Sequence, residues 1–136
     1  MSSAKPLPKP NAVTRHFWAA CAEGRMEFQH CPRCGHDQFP PRISCMRCHV
    51  GGLEWRPASG RGTVFSFTIV HRAPTDAFKA DVPYALAIIE LEEGVRAMMN
   101  VRAADLSAVA IGAPVDIVFE PTEGGFPPLP QARLRD

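Results

Sequence analysis

The segments CPRCG, residues 31–35, and CMRC, residues 45–48, decide how this chain folds. Each contains a C-x2-C pair, and ten residues separate the two pairs. The short spacer lets both thiolates of a pair approach one centre from a tight turn. Two such pairs close a tetrahedral site and leave no open position for a substrate. The sequence therefore predicts a structural metal site with four ligands, Cys31, Cys34, Cys45 and Cys48.

Zinc is the predicted metal, and iron is the alternative. The Cys-Pro-x-Cys-Gly motif also occurs in rubredoxins, where four thiolates hold an electron-transferring iron. Rubredoxins are rich in acids and surround their iron with aromatic residues, whereas this segment carries Arg33, Arg42 and Arg47 against the single acid Asp37. That balance favours zinc. Structural zinc contributes about 10 kcal/mol or more, which becomes folding energy for so small a ribbon.

The composition is that of a globular chain with an uneven charge. The 136 residues leave room for one domain or two small ones, and 46% of them are hydrophobic. The net charge is only +1, but residues 15–61 carry seven Arg against four acids, and residues 62–136 carry six cations against ten acids. The ribbon half is therefore basic and the second half acidic. The net charge of the whole molecule does not indicate nucleic-acid binding.

We expect a cytoplasmic protein with no membrane association. No apolar run approaches the roughly 20 residues that cross a bilayer, and the first residues lack the hydrophobic region of a signal peptide. Four of the five cysteines are assigned to a metal, and Cys21 stands alone. This cysteine usage suits a reducing compartment better than a disulfide scaffold.

Four regions are expected along the chain: an extended Pro-rich arm at residues 1–13, a helix at 14–25, the zinc ribbon at 26–56 and a barrel at 57–136. Thr14 is the predicted N-cap of the helix, and Gly24 is predicted to end it. Phe17, Trp18 and Cys21 lie on the apolar face of the helix. So short a helix must dock this face, either within its own chain or on a ligand or partner subunit.

The barrel region alternates with a period of two residues and is dense in β-branched side chains. Phe65 and Phe67 alternate as core residues would. A turn is expected at Gly124-Gly125. These features predict a mostly β protein in which a small five-stranded Greek-key barrel of OB type follows the ribbon. The predicted strands cover residues 63–71, 84–91, 95–101, 115–120 and 129–134.

The combined pattern resembles a family of acyl-CoA-associated proteins that join a zinc ribbon to an OB fold, long catalogued as a domain of unknown function. The resemblance covers roughly residues 14–133. Its specific segments are SGRGTVFSFT at 59–68, VPYALAIIELEEGVR at 82–96 and IGAPVDIVFE at 111–120, together with the cysteines. The four cysteines match the family's metal ligands, and residues 60–62 match its turn into the barrel.

The resemblance implies a non-catalytic role in lipid metabolism. Members accompany thiolases, thiolase-like aldolases or hydratases as neighbouring subunits, and acyl-CoA binding has been assigned to the fold. The sequence does not distinguish a partner that acts on a sterol side chain from one that acts on a fatty acyl chain or a short acetoacetyl unit. We therefore expect a hetero-oligomer with an acyl-CoA enzyme.

The basic half offers groups that could contact acyl-CoA, although no motif assigns them. Arginines can bind phosphates through paired hydrogen bonds, and the gap between the helix and the barrel could shelter an acyl arm. Taken singly, each arginine fits a solvated surface equally well. The candidate ligand-binding residues are Phe17, Trp18, Arg33, Arg42, Arg47 and Arg61.

Two other function classes remain open. A nucleic-acid module would suit a ribbon and an OB barrel, but it needs a basic groove with stacking aromatics, and the barrel half is acidic with one Tyr. A rubredoxin-like electron carrier would need iron. No catalytic residues are predicted, because no spacing ties the possible acid–base groups together and no nucleophile or phosphate-loop motif is present.

Overall fold

The computed structural model describes residues 5–122 and 126–135. One α-helix and eight strands follow one another along the described chain, with short 3-10 helices at Asp76–Phe78 and Leu106–Ala108. In order they are α1 (Arg15–Ala22), β1 (Glu27–His30), β2 (Asp37–Gln38), β3 (Glu54–Pro57), β4 (Arg61–Val70), β5 (Tyr84–Leu91), β6 (Arg96–Arg102), β7 (Pro114–Glu120) and β8 (Leu129–Leu134).

Gly24, two residues after the last residue of helix α1, terminates the helix as predicted. The amide of Gly24 donates to the carbonyl of Cys21, and the amide of Arg25 donates to that of Ala20. This is the Schellman arrangement, which needs a left-handed residue, and Gly24 has φ = +77°. The prediction for Thr14 holds only in position, because Thr14 occupies the N-cap site without a side-chain capping bond.

The ribbon is a three-stranded antiparallel sheet in the order β2-β1-β3. Strand β1 pairs along its whole length with β3, from Glu27 opposite Pro57 to His30 opposite Glu54. The first cysteine pair lies between β1 and β2, and the second lies in the connection from β2 to β3. The sheet thereby brings the two C-x2-C turns to the same end of the ribbon.

Strands β4–β8 form a closed barrel in the order β4-β5-β6-β8-β7. Its neighbours are antiparallel except β6 and β8, which run parallel with Val101 opposite Ala132. Pairing of β4 with β7, with Gly62 opposite Val115, closes the ring. Closure satisfies the edges that an open sheet would leave unpaired. The predicted fold class, mostly β with a short helix, a zinc ribbon and a five-stranded OB barrel, is confirmed.

One hydrophobic core joins the helix, the ribbon and the barrel. Phe17 from α1 and Met26 and Phe28 from the ribbon are buried in the same cluster as Val64 and Ile89 of the barrel. Burying a side chain of this size contributes about 1.5–3 kcal/mol. Helix α1 therefore docks within its own chain, the first of the possibilities that the sequence left open.

The core assignment of Phe65 and Phe67 is wrong. Their side chains are 43% and 37% exposed. The register of β4 against β5 shifts between Val64 and Ser66, so Val64 points into the barrel and Phe65 turns outward. Beyond its first residues, β4 pairs with β5 alone within the described chain, which leaves Phe67 half covered.

Two sequence predictions concern other parts of the chain. The turn expected at Gly124-Gly125 lies outside the described residues. Among the described residues, no helix is long and apolar enough to cross a membrane.

Candidate metal centre

The four cysteines of the two C-x2-C pairs come together at one point of the ribbon. Their sulfur atoms all lie within 4.8 Å of one another. Cys31 Sγ is 3.6 Å from Cys48 Sγ, and Cys34 Sγ is 3.6 Å from Cys45 Sγ. A tetrahedral zinc site with Zn–S bonds of about 2.3 Å requires sulfurs about 3.8 Å apart. The four side chains are therefore positioned to bind a metal ion.

The two cysteine turns have the same backbone geometry. In the first, the amide of Cys31 donates to the carbonyl of His36, and the amide of Gly35 donates to that of Cys31. In the second, Cys45 donates to Val50, and His49 donates to Cys45. This equivalence was not predicted from sequence. Aligning CPRCGH (31–36) with CMRCHV (45–50) places Gly35 and His49 at the same position.

The equivalent position is left-handed in both turns. Gly35 has φ = +78°, and His49 has φ = +67°. Glycine adopts this conformation freely, whereas a residue with a Cβ atom is strained there. The second turn therefore stores local strain at His49 that the first turn avoids.

Against the opposing effect of burial, local hydrogen bonds lower the pKa of the Cys34 and Cys45 thiols, whereas the pKa of Cys48 is raised to about 11. The amides of Arg47 and Cys48 point at Cys45 Sγ, at 3.4 and 3.5 Å. The guanidinium of Arg47 donates to the carbonyl of Cys34 and so ties one turn to the other. Burial opposes ionisation of Cys34, but hydrogen bonds from His36 and Arg47 outweigh it and lower the pKa of that thiol to about 6. Thiolates are the form that a metal binds.

Two buried glutamines hold the loop that carries the second cysteine turn. Gln38 Nε2 donates to Gln29 Oε1, and the same Oε1 accepts from the amide of Arg42 at 2.8 Å. Gln29 Nε2 donates to the carbonyl of Arg42, and Gln38 Oε1 accepts from the amide of Met46 at 2.9 Å. These glutamines were not predicted from sequence, where their only signal was their place on facing strands.

The histidines near the cysteines do not join the sulfur cluster. Among the described residues, the cluster of potential metal ligands contains the four cysteines alone. His30 Nδ1 instead lies 2.6 Å from Asp37 Oδ1. This fits the expectation that four sulfurs fill the coordination sphere.

A second polar cluster, also missed from sequence, joins α1 to the ribbon. Glu27 is buried on β1, with its Oε1 2.6 Å from His16 Nε2 and its Oε2 2.9 Å from Arg25 Nε. The His16 ring stacks on Trp55 of β3 at 4.5 Å. Burial by itself raises the pKa of Glu27, but the hydrogen bonds from His16 and Arg25 outweigh it and lower that pKa.

The candidate ligand-binding residues are dispersed over the molecule. Phe17 is buried, so only Trp18, half-buried between Phe17 and Phe126, offers ring surface on that side of α1. The four arginines are exposed. Arg42 lines a ribbon groove of about 590 Å³, and Arg61 lines a separate groove of about 420 Å³ between the ribbon and the barrel. Arg33 and Arg47 line neither groove.

Comparison with known proteins identifies the family. Residues 18–54 match the model described as "ChsH2, rubredoxin-like zinc ribbon domain", and residues 55–120 match "ChsH2, C-terminal OB-fold domain". A "DUF35 domain-containing scaffold protein" of Methanothermobacter thermautotrophicus is 41% identical over 90 residues, which are 65% of this chain and 67% of that protein. The chain belongs to the DUF35 family. The resemblance that the sequence indicated is thus confirmed.

Other relatives are longer or are named as enzymes or enzyme subunits. The 3-oxo-4,17-pregnadiene-20-carboxyl-CoA hydratase alpha subunit of Mycobacterium tuberculosis is 37% identical over 112 residues. That stretch is 82% of this chain but only 35% of the subunit, so the chain spans about a third of it. The solved structure titled "Ltp2-ChsH2(DUF35) aldolase" superposes with a TM-score of 0.84 and 28% identity, covering 94% of this chain and 98% of that one.

Proposed function

We propose that the protein is a zinc-binding, non-catalytic accessory subunit that docks onto a thiolase, a thiolase-like aldolase or a hydratase acting on acyl-CoA. One observation carries the proposal: almost the whole chain superposes on a chain of the structure titled "Ltp2-ChsH2(DUF35) aldolase". Relatives named as scaffold proteins and as hydratase alpha subunits support the same role.

The chemistry of the sulfur cluster supports a structural role. Four thiolates fill a tetrahedral metal site, so no coordination position is left to polarise a substrate or activate water. The side chain of His16 contacts Glu27 Oε1 at 2.6 Å, where it fastens the helix to the ribbon. The proposed role of the metal is to hold the ribbon in shape for docking.

Zinc is the proposed metal, supported by the match to a zinc-ribbon family model and by the arginines around the centre. Metal analysis of the purified chain checks this. We expect about one zinc per chain and no visible absorption. A red protein with one iron per chain would instead support the electron-carrier alternative.

Acyl-CoA binding forms a secondary part of the proposal. The candidate arginines are dispersed over the ribbon and the first strand of the barrel, and a CoA molecule with several phosphate charges needs converging cations. We therefore propose that acyl-CoA is held mainly by the partner, with Arg61 at the groove between ribbon and barrel as this chain's contribution. Titration with acetyl-CoA, alone and with the partner present, would separate the two contributions.

Affinity purification from the native host, followed by metal analysis, tests the main proposal. We expect recovery of a thiolase-like enzyme or a hydratase with zinc in the eluate. That partner would also identify the acyl-CoA substrate class. Recovery of nucleic acid without an acyl-CoA enzyme would contradict the proposal.

A nucleic-acid-binding module is the second candidate, and the exposed rings of the barrel favour it. Phe65 and Phe67 are partly exposed, and the Arg96 guanidinium lies 3.7 Å from the centre of the Phe65 ring. OB folds stack bases on such rings. Binding of a single-stranded oligonucleotide that weakens steeply with salt, and is lost in F65A, would support this function.

A further inference from the structure

The ribbon carries an open groove beside the second cysteine turn, which we call the knuckle groove. It has a volume of about 590 Å³ and lies between the segment before α1 and the loop that the buried glutamines hold. Cys45, one of the four cysteines of the candidate metal centre, is among its lining residues. The residues used below are Val13, Pro41, Arg42, Ile43 and Met46.

Apolar side chains border this groove without covering one another. Ile43 is 82% exposed and Met46 is 54% exposed. Isolated apolar side chains are common on protein surfaces. Here, however, both border one concavity together with Val13 and Pro41, an arrangement typical of a binding surface. Because Gln29 and Gln38 fix the loop backbone on either side, the groove is preformed.

The groove is lined by one arginine, and its lining residues include no carboxylate. Each acid of the ribbon sheet already has a basic side chain as its partner: Glu27 with Arg25 and His16, Asp37 with His30, and Glu54 with Arg56.

Arg42 lines the groove, and among the described residues no carboxylate lies within ion-pair distance of it. Arg47 donates to the carbonyl of Cys34, and neither Arg33 nor Arg47 lines the groove. Arg42 is therefore the cation that remains for an outside group.

We propose that the knuckle groove docks a segment of the partner protein that presents an apolar side chain next to a carboxylate. The apolar side chain covers Ile43 and Met46, and the carboxylate pairs with Arg42. The inference rests on the accessory function proposed above and adds the surface and the chemistry of the contact. Acyl-CoA fits this groove less well, because a single guanidinium cannot balance its several phosphate charges.

Site-specific photo-crosslinking in the native host tests the location. A benzophenone amino acid replaces Ile43 in one full-length chain and Ile111 in another, since Ile111 is comparably exposed at 73% but lies on the barrel side. We expect the Ile43 probe to crosslink an acyl-CoA enzyme at a peptide containing Asp or Glu, and the Ile111 probe to give no such product.

The crosslinking experiment identifies a partner enzyme. Affinity measurements with that enzyme, purified separately and without a crosslink, test whether an apolar side chain and a carboxylate make the contact. We expect I43D to weaken binding about tenfold or more, since it removes a buried apolar contact, and I111D to change it less than about twofold. R42E should weaken binding, whereas R42K should retain most of it. Zinc content verifies that each variant is folded.

Three outcomes would overturn the inference. If the enzyme co-purifies but crosslinks only at Ile111, the groove is not the docking surface and the accessory function stands. If I43D abolishes acetyl-CoA binding and leaves the enzyme affinity unchanged, the groove is a ligand site. If no acyl-CoA enzyme co-purifies with or crosslinks to either probe-carrying chain, the accessory function fails together with the inference.

Discussion

Strain at one residue distinguishes the two cysteine turns of the ribbon. His49 occupies the left-handed position that Gly35 fills in the first turn. A residue with a Cβ atom loses roughly 1–2 kcal/mol there, and a glycine recovers part of this at the cost of a more flexible unfolded chain.

We therefore predict that H49G raises the free energy of unfolding by up to about 1 kcal/mol. H49V should lower it, because a β-branched side chain tolerates positive φ least. Chemical denaturation of the zinc-loaded variants measures both. Equal stabilities for the two variants would show that the turn relaxes out of the left-handed conformation.

Gly62 is required for a steric reason instead. A Cβ atom at this position would lie 2.5 Å from the carbonyl oxygen of Glu90 on the neighbouring strand. We predict that G62A destabilises the barrel by about 1–3 kcal/mol, because backbone atoms must move apart. Gly51 is the matched control, since a Cβ atom there would meet nothing within 4 Å and its φ is not positive. G51A should leave the thermal midpoint unchanged or slightly higher; a matching loss in both variants would refute the steric explanation.

At the scale of elements, the junction of α1 with the ribbon depends on one buried carboxylate. The pKa of Glu27 is lower in the folded protein than in the unfolded chain. A lowered folded pKa means that the stabilisation is present above the unfolded pKa and is lost as the pH falls through the folded value.

The wild-type protein should therefore lose its stability advantage over E27Q as the pH is lowered from about 6 to below 4. Metal loss in acid affects both proteins, so the difference between their urea midpoints isolates Glu27. A difference that does not vary with pH would contradict the role of this ion-pair cluster.

The sequence predicted most elements, and the exceptions have physical causes. Spacing alone located the cysteine turns, and the glycine after α1 fixed its end, because both depend on local geometry. The outward turn of Phe65 depends on a register shift against β5 that alternation does not encode. Gln29 and Gln38 depend on a facing strand for their partners. The separation of Arg61 from the ribbon arginines likewise depends on how the ribbon is oriented against the barrel.

At the scale of the whole molecule, the shared core couples the ribbon to the barrel unequally. The ribbon has few strand pairs of its own and depends on the proposed metal, whereas the barrel is closed by its own pairing. We predict that removing the metal with a chelator unfolds the ribbon while β4–β8 keep their protection from hydrogen exchange. The thermal midpoint should also fall, because Phe28 and Met26 leave the common core. Simultaneous loss of protection in all strands would mean that ribbon and barrel form one cooperative unit.

The strand order of the barrel also dictates an order of events during synthesis. Strand β8 lies between β6 and β7, so the ring cannot close until residues 129–134 have left the ribosome. The pairing partners of the ribbon all lie within residues 27–57, so the ribbon can take up its metal while the barrel strands are still being translated. Until closure, the nascent chain would expose the unpaired edges of β6 and β7, and its ribbon would already be available to the proposed metal and the proposed partner.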